Sequence, residues 1–142
     1  MKMIFVDAGP LVAIVNPGDQ HAEDARLGWL RLAETKLALV STEHILDEVA
    51  TAICRWQSPR RAADWVRLQL DSGLIRWISC GPEDWRTATE WLTQYSDQQI
   101  NFTDALSFTL MRRLRITEAF TFDRHYQIAG FEKWMPGHKE EG

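Results

Sequence analysis

The chain has 142 residues, 45% of them hydrophobic and 25% charged, with a formal net charge of −4. That length fits one domain burying about two thirds of the surface its unfolded form exposes, and the composition excludes an intrinsically disordered chain. No segment approaches the run of about 18 apolar residues that a membrane span needs.

Residues 2–6 form an apolar strand ended by Asp7, after which Ala8, Gly9 and Pro10 predict a turn and LVAIV a short helix. An amphipathic helix is expected over residues 19–35, with Ala22, Ala25, Trp29 and Leu32 on its apolar stripe. Residues 37–40 read as a second strand. Ser41 or Thr42 then caps a helix whose buried stripe is Ile45, Val49, Ala52 and Ile53, with Glu48 among them. A carboxylate beside an apolar stripe is costly unless paired.

Ser58 ahead of Pro59 starts a helix running to about residue 70, which Ser72 and Gly73 end. Residues 74–79 form a third strand. Gly81 and Pro82 open a helix with Trp85, Ala88, Trp91, Leu92 and Tyr95 on one face. After a polar loop over 96–101, Thr103 is expected to cap a helix reaching Leu114, with Asp104 in the first turn, where the helix dipole favours it. Residues 118–122 form a fourth strand ending at Asp123, and 131–135 a short fifth.

Strands alternating with helices predict one three-layer α/β/α domain over residues 1–135, with a mainly parallel sheet of four to five strands and a polar tail over 136–142. Most of the seven Trp read as core, and Cys54 and Cys80 read as small core side chains, fitting neither a zinc spacing nor a disulfide framework. Lys2 ahead of apolar residues imitates a signal peptide, but Asp7 and Pro10 interrupt the run and no small-residue cleavage site follows. A cytoplasmic protein is expected.

Ligands in parallel sheets bind beyond the carboxyl ends of the strands. Asp7 and Asp123 end two strands, Asp104 begins a helix and Glu48 lies in another, so one sheet edge can gather all four. Carboxylates brought together share protons or hold a cation, and oxygen-only ligation points to Mg²⁺ or Mn²⁺. Taken singly, each acid is also explained as a cap, a turn former or half of an ion pair. A net charge of −4 argues against a nucleic-acid partner, but with the four acids neutralised the surface is nearly balanced. Arg60 with Arg61, Arg112, Arg113 with Arg115, and Arg124 with His125 then stand out, each also readable as a solvated helix face.

FVDAGPLVAIVN, VSTEHILDEVATAI, NFTDALSFTLMRRL and TFDRHYQIAGF, in that order, resemble the PIN-domain nucleases, and more narrowly the VapC-type ribonuclease toxins of toxin–antitoxin modules. The resemblance implies a PIN-like fold and a Mg²⁺- or Mn²⁺-dependent endoribonuclease whose catalytic and metal-holding acids fall on Asp7, Glu48, Asp104 and Asp123. It also implies an RNA substrate, a cognate antitoxin and a homodimer. Where many relatives carry Ser or Thr two residues after the first acid, this chain has Gly9. Asp97, Thr103, Ser107 and His125 are further candidates, each with a structural explanation of its own.

Two rival readings stay open. One is a non-catalytic PIN-like module that binds RNA or protein. The other is phosphoryl transfer through an aspartyl intermediate at Asp7, against which Gly9 stands where such phosphatases usually carry a second Asp.

Overall fold

Five parallel strands in the order β3-β2-β1-β4-β5 carry the architecture of the computed structural model, which describes residues 2–136. The strands are β1 (Met3–Val6), β2 (Ala38–Thr42), β3 (Ile75–Ile78), β4 (Glu118–Phe120) and β5 (Glu132–Lys133). Between them run α1 (Ala8–Val15), α2 (Ala22–Ala33), α3 (Glu43–Trp56), α4 (Pro59–Ser72), α5 (Pro82–Gln94), α6 (Phe102–Arg113) and α7 (His125–Ile128). The expected α/β class and the parallel sheet are both found. Of the expected polar tail, residues 137–142 lie outside the described residues.

From β1 the chain steps outward through β2 to β3, then returns to the other side of β1 to form β4. Right-handed connections therefore place α5 and α6 on the face opposite α1 to α4. The reversal makes the crevice between β1 and β4 a switch point, where parallel sheets bind their ligands.

Ile4, Phe5 and Val6 are wholly buried, as a central strand covered on both faces requires. Phe108 and Tyr126 meet edge to face at 4.9 Å, and Phe120 and Trp134 at 5.2 Å, so aromatic contacts join α6 to α7 and the sheet to the carboxyl-terminal segment. Gly28 lets α2 approach the sheet closely. A Cβ there would stand 2.3 Å from Phe120 Cζ.

Several local expectations change. Ala8, Gly9 and Pro10 are the first turn of α1 instead of a separate turn, because Asp7 accepts the Ala8 N–H and starts the helix itself. Thr42, not Ser41, caps α3, and the Ser41 hydroxyl donates to the Val6 carbonyl. Asn101 replaces Thr103 as the cap of α6: its side chain accepts from Asp104 N–H, and Asp104 accepts from Asn101 N–H. α2 begins at Ala22, since Asp19 forms a local turn by accepting from His21 N–H. β4 stops at Phe120, and α7 was not expected.

Cys80 is buried, but Cys54 is exposed, contrary to the core expectation. Trp65, Trp91 and Trp134 are buried, whereas Trp85 is 47% exposed and Trp56 52%. Among the described residues no helix is long and apolar enough to cross a membrane.

Candidate active site

Asp7 sits at the carboxyl end of the central strand and is almost wholly buried. Its Oδ1 accepts the Ala8 N–H at 2.8 Å and its Oδ2 accepts the Thr121 hydroxyl at 2.7 Å. Burial raises its pKa, partly offset by those two donors, and the charge of Asp123 raises it further. β4 lies directly beside β1, so Asp123 emerges next to Asp7.

Thr121 organises both acids. Besides donating to Asp7, its oxygen accepts the Asp123 N–H at 3.0 Å. Asp123 Oδ1 in turn accepts the His125 N–H at 2.9 Å and lies 2.7 Å from His125 Nδ1. His125 thus holds Asp123 in place, which assigns it a positioning contact that its place in the sequence left open.

Asp104 reaches the same pocket from the first turn of α6. Its pKa is pushed up to about 6 by burial; the Asn101 N–H pulls it down, and Asp7 and Asp123 push it up again. Glu48 enters from α3 on the open side of the pocket. Lost hydration at its carboxyl, then the charges of Asp7, Asp104 and Asp47, push it up to about 7. Asp7 is therefore the electrostatic hub linking all four predicted acids. Among the described residues no ion pair ends on Asp7, Glu48 or Asp104.

Hard dications prefer an oxygen-only donor set of this kind. The Tyr126 hydroxyl is wholly buried beside Asp7 and Ser107; it forms no hydrogen bond of ordinary geometry, yet its approach helps to hold the Asp7 carboxyl down. The donor chemistry fits a bound cation. Among the described residues no group of three His, Cys, Asp or Glu side chains is drawn close enough to hold a metal ion. Mutual repulsion opposes a tighter gathering.

The remaining candidates divide clearly. Ser107 is buried and donates to the Thr103 carbonyl at 3.0 Å, so both serve the local helix. Asp97 is exposed in the loop before α6 and contributes to none of the shifted acids. A Cβ at Gly9 would stand 3.3 Å from Phe122 Cδ2, and Phe122 stacks on His21 at 4.4 Å.

Three residues serving the site escaped the sequence reading: Thr121, Tyr126 and Asn101. Asn101 alone had a local signal, standing three residues before an acid in a capping-box pattern. Thr121→Val keeps the shape but leaves Asp7 Oδ2 and the Asp123 N–H unpaired. Loss of such a supporting contact is expected to lower the activity of the site about 10- to 100-fold while thermal unfolding shows an intact fold. Unchanged kinetics would show that the acids do not need this support.

A family model described as PIN domain matches residues 4–132. The chain is 31% identical over 135 residues to the 23S rRNA-specific endonuclease VapC20 of Mycobacterium tuberculosis, across 94% of this chain and 99% of that protein. The crystal structure of Mycobacterium tuberculosis VapC20, described as a Sarcin-Ricin loop cleaving toxin, superposes with a TM-score of 0.83 at 29% identity, over 94% of this chain and 99% of that one. VapBC2 from Rickettsia felis, solved bound to a DNA fragment from its promoter, has a TM-score of 0.70 at 11% identity over 93% and 97% of the two chains, a likeness of fold alone.

Proposed function

The chain belongs to the PIN-domain family, and on that premise we propose that it is a divalent-metal-dependent endoribonuclease, the toxin of a type II toxin–antitoxin module acting in the cytoplasm. The observation that carries this reading is the convergence of Asp7, Glu48, Asp104 and Asp123, without a cationic partner for three of them, at the switch point of the sheet. The VapC20 likeness supports RNA as substrate and an antitoxin as partner. A homodimer is the proposed assembly.

Asp7, Asp104 and Asp123 would hold Mg²⁺ or Mn²⁺, with Glu48 completing the set directly or through water. A bound dication supplies a water that ionises near neutral pH and charge stabilisation at the phosphoryl oxygens. The protein's own part is positioning. Ala8 N–H and Thr121 fix both oxygens of Asp7, the Asn101 N–H fixes one oxygen of Asp104, and His125 fixes Asp123. Glu48 stands on the solvent side with its pKa near 7, so it can exchange a proton with a water in the mouth of the pocket. Tyr126, wholly buried beside Asp7, keeps water from reaching that acid from behind.

A non-catalytic binding module of the same fold is the second reading, favoured by the open spacing of the acids. Incubating the purified chain with structured RNA separates the two. Cleavage in Mg²⁺ or Mn²⁺ that stops on adding EDTA is expected. RNA retained but uncut in both metals would remove the nuclease reading and leave the binding module.

A further inference from the structure

α1 and α3 leave between them a groove of about 530 Å³, walled by Ala8, Gly9 and Val12 on one side and by Asp47, Glu48, Ala52 and Trp56 on the other. Ala8 follows Asp7 directly and Glu48 is one of the four acids, so the groove opens from the acidic pocket. Trp56 stands at its far end. Eight residues of helix separate it from Glu48, about 12 Å at 1.5 Å per residue.

Trp56 is more than half exposed, and among the described residues it takes part in none of the ring contacts that engage Trp29, Trp65, Trp77, Trp91 and Trp134. Isolated exposed apolar residues are common, so its surroundings decide its meaning. Arg55 precedes it in the groove wall, and Arg60 and Arg61 follow beyond the groove at the start of α4, Arg61 lining the neighbouring cavity with Asp64; all three are exposed. Arg26, Arg31, Arg67 and Arg86 each pair with an acid three residues away. Among the described residues Arg55, Arg60 and Arg61 join no ion pair.

A flat aromatic face beside unneutralised guanidinium groups, running into a phosphate-cleaving pocket, matches the needs of unpaired RNA: stacking for a base and cations for its backbone. We propose that this groove seats the RNA strand flanking the scissile phosphate, with one unpaired base stacked on Trp56 and Arg55, Arg60 and Arg61 on adjoining phosphates, an assignment that rests on the ribonuclease reading. The cationic surroundings of Trp56, at the end away from Asp47 and Glu48, and continuity with the acids select RNA as the occupant. Trp56 is then a positioning residue that acts on binding and leaves the chemical step alone.

The test is fluorescence anisotropy of a labelled RNA stem–loop titrated with the full chain in Mg²⁺, in an Asp104→Asn background that retains RNA uncut. Trp56→Ala is expected to weaken binding about tenfold or more, and Trp56→Phe to restore most of it. Arg55→Ala should weaken binding and reduce the slope of affinity against salt by about one. In the otherwise wild-type enzyme, Trp56→Ala should raise KM and spare kcat. Wild-type affinity in Trp56→Ala would overturn the assignment, and if that variant instead lost a co-expressed antitoxin, the groove would be a protein-docking site. An RNA that the Asp104→Asn chain fails to bind, and that the wild type fails to cut, would remove the ribonuclease reading together with this one.

Discussion

Asp104→Asn is expected to lower kcat/KM for RNA cleavage at least about a thousandfold while leaving the fold intact. The substitution keeps an oxygen that can accept the Asn101 N–H and so preserves the capping box that starts α6. It removes one negative charge from the pocket. Neutralising Asp104 should also relieve the repulsion that helps to raise Glu48. The metal-free variant should therefore unfold at a higher temperature than the wild type above about pH 7. Activity and stability moving in opposite directions marks a residue kept for function. An Asp104→Asn chain that cleaves RNA like the wild type would defeat the proposed site, and lower stability in EDTA would contradict the electrostatic account.

Metal binding and pH should act on stability through the same groups. The carboxyl of Asp104 is raised from 3.8 to about 6 and that of Glu48 from 4.5 to about 7. An acid with a raised folded pKa holds its proton in the native state after the unfolded chain has released it. Its contribution to stability is full below about pH 4 and is lost as pH rises through about 6 to 7. Metal-free protein should accordingly lose thermal stability between about pH 4 and pH 7.

A dication competes with those protons, so Mn²⁺ should matter most where the acids are ionised. At saturating Mn²⁺ near pH 8 the melting temperature should rise about 5 to 10 °C, and near pH 5 hardly at all. Calorimetry with and without EDTA reads both. Equal increments at the two pH values would show that the ion does not bind these carboxylates.

Much of the fold was legible because its signals are local. Ser58 with Pro59 and Gly73 bracketed α4, and the structure shows the Ser58 hydroxyl accepting from Arg61 N–H and Gly73 at φ 61°. β1 was readable from its unbroken apolar run, which a strand buried on both faces requires. The cap of α6 was misplaced by two residues because Asn101 and Thr103 both have cap chemistry, and only the backbone shows whose oxygen meets an N–H of the first turn. α7 has four residues, too few for a helical period to emerge. Cys54 was read from apolar neighbours, but a helix turns its residues about 100° apart, so adjacency does not place a side chain in the core. Trp85 was placed by its spacing on the face of Ala88 and Trp91, yet near the start of α5 it stays half exposed while those two are buried.

The amino-acid sequence by itself determined the alternation of strands and helices, the parallel sheet, and the four acids at element ends or within an apolar stripe. Periodicity and capping act over a few residues and are written along the chain. Tertiary structure alone decided that Asp7 becomes the buried hub of those acids, that Thr121 holds it from 114 residues away, and that Trp56 faces the groove. Contacts across such separations depend on strand order and crossover direction, which bring together segments whose local patterns carry no trace of one another.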